Sequence, residues 1–119
     1  MNDVATLLMR LVKKPNELMF VDVIATIDRA YRFAPTAFSN GTADNTAEQN
    51  QGSAKVLAFA RLHNLGEPQT LACWAEHYRS VLDHPEGTDH QNIRQFIQTG
   101  WAGVQLPSDC LVLINQTVK

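Results

Sequence analysis

Proline is the feature that most tightly constrains how this chain can fold. A proline lacks the amide N–H and holds φ at about −65°, so it opens or ends a helix and is not tolerated inside one. Pro15, Pro68 and Pro85 each fall at the edge of an apolar-periodic stretch, whereas Pro35 falls where helical period is lost. Before Pro15, Val4, Leu7, Leu8, Leu11 and Val12 recur at i, i+3, i+4, i+7 and i+8, which predicts an amphipathic helix over residues 3–13. Lys13 and Lys14 suit the negative end of its dipole. Phe20, Val23, Ile24, Ile27 and Tyr31 mark one face of a second helix.

Ser53 is a suitable N-cap for a third helix, SAKVLAFARLHNL, with Val56, Phe59 and Ala60 inward and Leu65-Gly66 as its exit. Glu67-Pro68 opens a fourth, with proline at the first helical position. There Leu71, Trp74, Ala75, Tyr78, Val81 and Leu82 form one stripe, predicting a single helix as far as Pro85. A fifth follows in HPEGTDHQNIRQFIQTGW. Thr88 with Gln91 has the spacing of a capping box, Asp89 falls in the first turn, and Ile93, Phe96, Ile97 and Trp101 supply the buried face before Gly100. Loss of the Thr88 cap is expected to cost about 1 kcal/mol.

Residues 31–53, YRFAPTAFSNGTADNTAEQNQGS, lack that periodicity and are rich in amides. Asn40-Gly41 tolerates positive φ and predicts a hairpin between strands at 33–39 and 42–46, with Pro35 confining the first to a sheet edge. Branched residues at 110–115 predict a C-terminal strand that pairs with the hairpin. The expected fold is therefore α+β and helix-dominated: about five helices and a small sheet in a single domain, the unit size for 119 residues.

Ten basic and twelve acidic residues, spread evenly for a net charge of −2, argue against nucleic acid, whose binding needs a clustered basic surface. The apolar run LVLI at 111–114 is too short for membrane insertion. The N-terminal charges follow the apolar stretch, the reverse of a secretory signal. Cys73 and Cys110, far apart and outside any CxxC, are expected to be free thiols in a reducing cytoplasm.

His77, His84 and His90, with Glu76, Glu86 and Asp89, make one cluster of ligand-type residues. Helical metal pairs want i, i+4 spacing, which neither His77 with His84 nor His84 with His90 provides. Ser53, Ser80 and Cys73 have no nucleophile signature, and neither GxGxxG nor a P-loop occurs, so no catalytic residue, cofactor or metal is assigned. The amides Asn45, Gln49, Asn50 and Gln51 either tie down their loop or join Asn92 and His90 in a polar pocket.

YRFAPTAFSNG, GSAKVLAFARLHNL, TLACWAEHYRSVL and HPEGTDHQNIRQFIQTGW together resemble the HopJ family of bacterial proteins, over residues 18–103. Glu48 and Ala54 depart from that pattern, where glycine and cysteine are common. The resemblance implies a bacterial cytoplasmic protein, with type III delivery into a host cell by analogy. It brings no established activity or cofactor. Two functions follow: a non-enzymatic module that binds a protein partner, or a small-molecule- or metal-binding enzyme. The candidate polar site for the second is Asn45, Asn50, His84, Asp89, His90, Asn92 and Arg94, with His90 as general base and Arg94 as anion clamp.

Overall fold

A computed structural model describes residues 3–114. Helix α1 (Val4–Lys13) is capped by Asp3, whose carboxylate accepts from the Thr6 N–H at 2.8 Å. A 3₁₀ turn at Pro15–Glu17 leads to α2 (Phe20–Ala30). The irregular segment holds β1 (Tyr31–Phe33), β2 (Phe38–Asn40) and β3 (Ala43–Asn45). Then come α3 (Gln51–Leu62), α4 (Glu67–Ala72), α5 (Glu76–Asp83) and α6 (Gln91–Thr99). A 3₁₀ turn at Gly100–Gly103, β4 (Val104–Gln105) and β5 (Leu111–Leu113) complete the described chain.

The helix-dominated α+β class agrees with the sequence. Leu7, Leu11, Val23, Ile27, Leu57, Phe59, Trp74, Ile93 and Phe96 lie in one buried cluster that runs from α1 to β5. Three residues expected inside are not: Val12 is 66% exposed, Leu82 56% and Ile97 45%.

Five local expectations are corrected. The fourth stripe is two helices, α4 and α5, because the backbone turns sharply at Cys73–Ala75. There Trp74 N–H and Ala75 N–H bond three residues back, and Ala75 reaches φ 57°, ψ −126°, outside helical space. The turn sets Trp74 in the core, 2% exposed, with its indole N–H donating to Ser53 Oγ at 3.0 Å. Ser53 is therefore no cap. Helix α3 begins at Gln51 behind Asn50, which takes left-handed φ 54°.

The Thr88 capping box does not form either. His90, at φ 53°, is the N-cap of α6, and Gln91 donates through Nε2 to the Thr88 carbonyl where a capping box would have its Oε1 accept a backbone N–H. Asp89 consequently precedes the helix.

The sheets also differ. Phe33–Ser39 is not one strand: β1 and β2 belong to separate sheets, with Pro35 between them. Tyr31 pairs with Leu113 and Phe33 with Leu111, so the C-terminal strand joins β1 and not the hairpin. Asn115, expected to end that strand, lies outside the described residues. The hairpin is β2–β3, its turn at Gly41 and Thr42, and β2 takes β4 as second partner through Asn40↔Val104. Gly41 has φ 59° and lies against Gln95, whose Oε1 accepts from the Thr42 N–H at 3.0 Å, so the hairpin rests on α6. Among the described residues no helix is long and apolar enough to cross a membrane.

Candidate functional site

The start of α6 organises three sets of polar groups. The first is a knot of asparagines beneath the hairpin. Asn45 Oδ1 accepts from Asn50 Nδ2 at 2.8 Å and from Asn92 Nδ2 at 3.1 Å. Asn40 Nδ2 donates to the Asn92 carbonyl at 2.8 Å, and Asn45 Nδ2 donates to the Phe38 carbonyl at 3.3 Å. Amides removed from water must pair with one another, so this network fixes β2 and β3 against both α3 and α6. Asn40 Oδ1 is the one buried amide atom of the knot without a partner among the described residues. Asn50 does double service, since asparagine tolerates the left-handed backbone that starts α3.

The second set ties down the loop before α6. Arg94 is 9% exposed and donates to the carbonyls of His84 (3.0 Å), Pro85 (3.3 Å) and Asp89, and to Asp89 Oδ1 at 2.8 Å. A planar guanidinium with five fixed N–H donors suits such a loop, which would otherwise leave carbonyls unpaired. The Arg94 hydrogen bond is the main reason the Asp89 carboxyl sits below the usual carboxylate range, with His90 and Arg94 charge adding. His84 faces away, Nδ1 lying 3.0 Å from the Ser80 carbonyl on its own helix.

The third set is different. His77 on α5 and His90 pack ring against ring, centroids 5.1 Å apart and planes tilted 34°, and both line a cleft of about 470 Å³. Phe20 stands edge-on to His77 at 5.0 Å, and Trp74, Asn50, Gly52, Ser53 and Gln91 contribute to the walls. Glu76 Oε1 accepts the Phe20 N–H at 2.7 Å and so holds the start of α2 against the start of α5. Helices α2, α3, α5 and α6 all begin here. Among the described residues the N–H groups of Gln51, Gly52, Gln91 and Asn92 have no partner, and α3, α5 and α6 have no side-chain cap. Asn50, Ala75 and His90, at φ 54°, 57° and 53°, stand at the starts of those three helices. Such backbone costs on the order of 1 kcal/mol or more per residue and persists only where surrounding structure enforces it.

The seven residues of the expected polar site are thus divided. Asn45, Asn50 and Asn92 meet in the asparagine knot, His84, Asp89 and Arg94 in the loop clasp, and His90 belongs to the cleft. Arg94 makes no clamp for an outside anion, its donors being engaged by the loop. Of the sequence cluster His77, His84 and His90, the structure brings His77 and His90 together and leaves His84 out, while Phe20, Gly52 and Trp74 are site residues the sequence does not mark. No spacing rule links these positions, because they come from α2, α3, the turn between α4 and α5, α5 and the start of α6. Among the described residues no three His, Cys, Asp or Glu side chains are close enough to share a metal ion. Both cysteines are free and buried, and burial pushes the Cys73 thiol up to about 12, which leaves no thiolate nucleophile there at neutral pH.

Fold and site together define a small helix-dominated α+β protein with an aromatic, two-histidine cleft where four helices begin. Residues 4–111 match the family model described as "HopJ type III effector protein", and the chain belongs to the HopJ family. It is similar to a solved protein titled "Crystal structure of unknown function protein VPA0580", at 42% identity over 92% of each chain and a TM-score of 0.88. No curated protein matches it significantly in sequence.

Proposed function

We propose that this HopJ-family protein acts by binding and not by catalysis, and that the His77–His90 cleft is where it binds. The carrying observation is the contrast in engagement of its polar groups. The side chains of Arg94, Asp89, Ser53 and the asparagines are committed to the fold, whereas the cleft keeps two imidazoles that make no hydrogen bond to protein and several open backbone N–H groups, among the described residues. Its size falls within the range of about 300–1,000 Å³ usual for small-molecule sites. A fragment screen read by amide chemical shifts tests this. Hits should move Gly52, His77 and Gln91 together. A screen whose hits all map elsewhere, or a compound that is turned over, would end the reading.

The family's description supports delivery into a host cell as the setting in which this binding acts, with the bacterial cytoplasm as its origin. A translocation reporter fused to the chain should enter host cells only when the type III apparatus is intact. Equal signal from an apparatus-null strain counts against it. A second reading, docking of a protein partner, draws on the groove of about 360 Å³ between α5 and α6, where Leu82 and Ile97 are exposed. Leu82→Lys or Ile97→Lys should abolish capture of such a partner. If capture survives both, the groove is not the contact.

A further inference from the structure

We infer that the cleft takes a small oxyanion, a phosphate or carboxylate on a flat apolar body, with the anionic group bound at the cavity-facing edge of the packed His77–His90 ring pair. This rests on the cleft being a binding site and adds the chemical class of its ligand. The two imidazoles lie 5.1 Å apart by ring centroid and are both partly exposed to the same cavity. Each neutral ring offers one N–H donor and each protonated ring two, so both can donate to oxygens of one group.

The two carboxylates nearest the cleft are each engaged by protein groups. Of the nearby carboxylates, Glu76 is engaged by the Phe20 N–H at 2.7 Å. Asp89 carries the Arg94 guanidinium at 2.8 Å, which offsets its charge although its other oxygen lies 3.8 Å from His90 Nε2. No free carboxylate therefore lines the cleft to favour a cation, among the described residues. The open N–H groups of Gln91 and Asn92 stand on the same wall as His90, and the positive end of the α6 dipole adds to their preference for negative charge.

The apolar body follows from the remaining walls. Phe20 and Trp74 flank the imidazoles, and Gly52 lets the Phe20 ring close on the start of α3, since a Cβ there would stand 3.1 Å from its tip. A bare phosphate would leave most of the 470 Å³ and both aromatic faces uncovered.

Phenyl phosphate, inorganic phosphate and phenol, titrated into the full chain with amide shifts as readout, test the inference. Phenyl phosphate should saturate at the cleft, moving Gly52, His77, Gln91 and Asn92, with affinity at least about tenfold above either fragment. His77→Gln and His90→Asn, the latter chosen because asparagine accepts positive φ, should each weaken phenyl phosphate about tenfold and leave phenol within about twofold. Phenol binding the cleft as tightly as phenyl phosphate would overturn the oxyanion and leave the cleft a binding site. Shifts that avoid the cleft with all three compounds would overturn both. The comparison of compounds is made on the wild-type chain, so it stands even if a variant fails to fold.

Discussion

The two sides of the first turn of α6 make opposite use of the same kinds of residue. On one side, the side chains of Asn92 and Arg94 are buried, and their donors and acceptors are matched by protein. On the other, His90 and Gln91 face a cavity with donors left open. Polar residues close in sequence are thus no guide to function by their number. What separates structure from site is whether their hydrogen bonds are already made, because a satisfied buried group has nothing left to offer a ligand.

That contrast can be broken by substitution. The largest effect is expected from Asn92→Ala, which removes the side-chain amide that Asn40 Nδ2 and Asn45 Nδ2 donate to and that donates to Asn45 Oδ1, and should cost about 3 kcal/mol in denaturant unfolding. A cost below about 1 kcal/mol would mean that water replaces the knot freely. Arg94→Met keeps the apolar stem and removes the loop clasp, and should cost about 2 kcal/mol while exposing residues 84–90 to proteolysis.

Asp89→Asn should act less, and only through pH. The folded carboxyl is held below its ordinary value of 3.8, so its contribution is present above that value and lost as pH falls through the folded one. The acid limb of the stability curve should therefore flatten in the variant, and an unchanged limb would separate Asp89 from acid unfolding. On the cleft side, His90→Gly should leave stability within about 0.5 kcal/mol, because relief of positive φ offsets the lost ring contact. Thr88→Ala should likewise fall within about 0.5 kcal/mol, as its hydroxyl is no cap. A loss near 1 kcal/mol would restore the capping box that the structure lacks.

Much of the helical framework was legible because periodicity and proline act locally. The stripe of Val23 and Ile27, the stops at Pro15 and Pro85 and the exit at Gly100 all appear where the residues place them. The failures share a cause. Asn50, Ala75 and His90 adopt positive φ without being glycine, and although asparagine and histidine tolerate that backbone, residue type alone does not mark three helix starts. Helices α4 and α5 read as one because the stripe from Leu71 to Val81 continues in register across a sharp turn. Strand β4, Val104–Gln105, is too short to carry an alternation.

The sequence by itself determined that this chain forms amphipathic helices around a single apolar cluster, with a hairpin near Asn40, because those preferences are set by neighbours within a turn or two. Only the tertiary structure decided which polar residues are left free. Whether His90 meets His77 or His84, and whether Arg94 clasps a loop or waits for a ligand, depends on helix starts brought together from distant parts of the chain. That convergence is enforced by burial of Trp74 and the asparagine knot, and no local pattern encodes it.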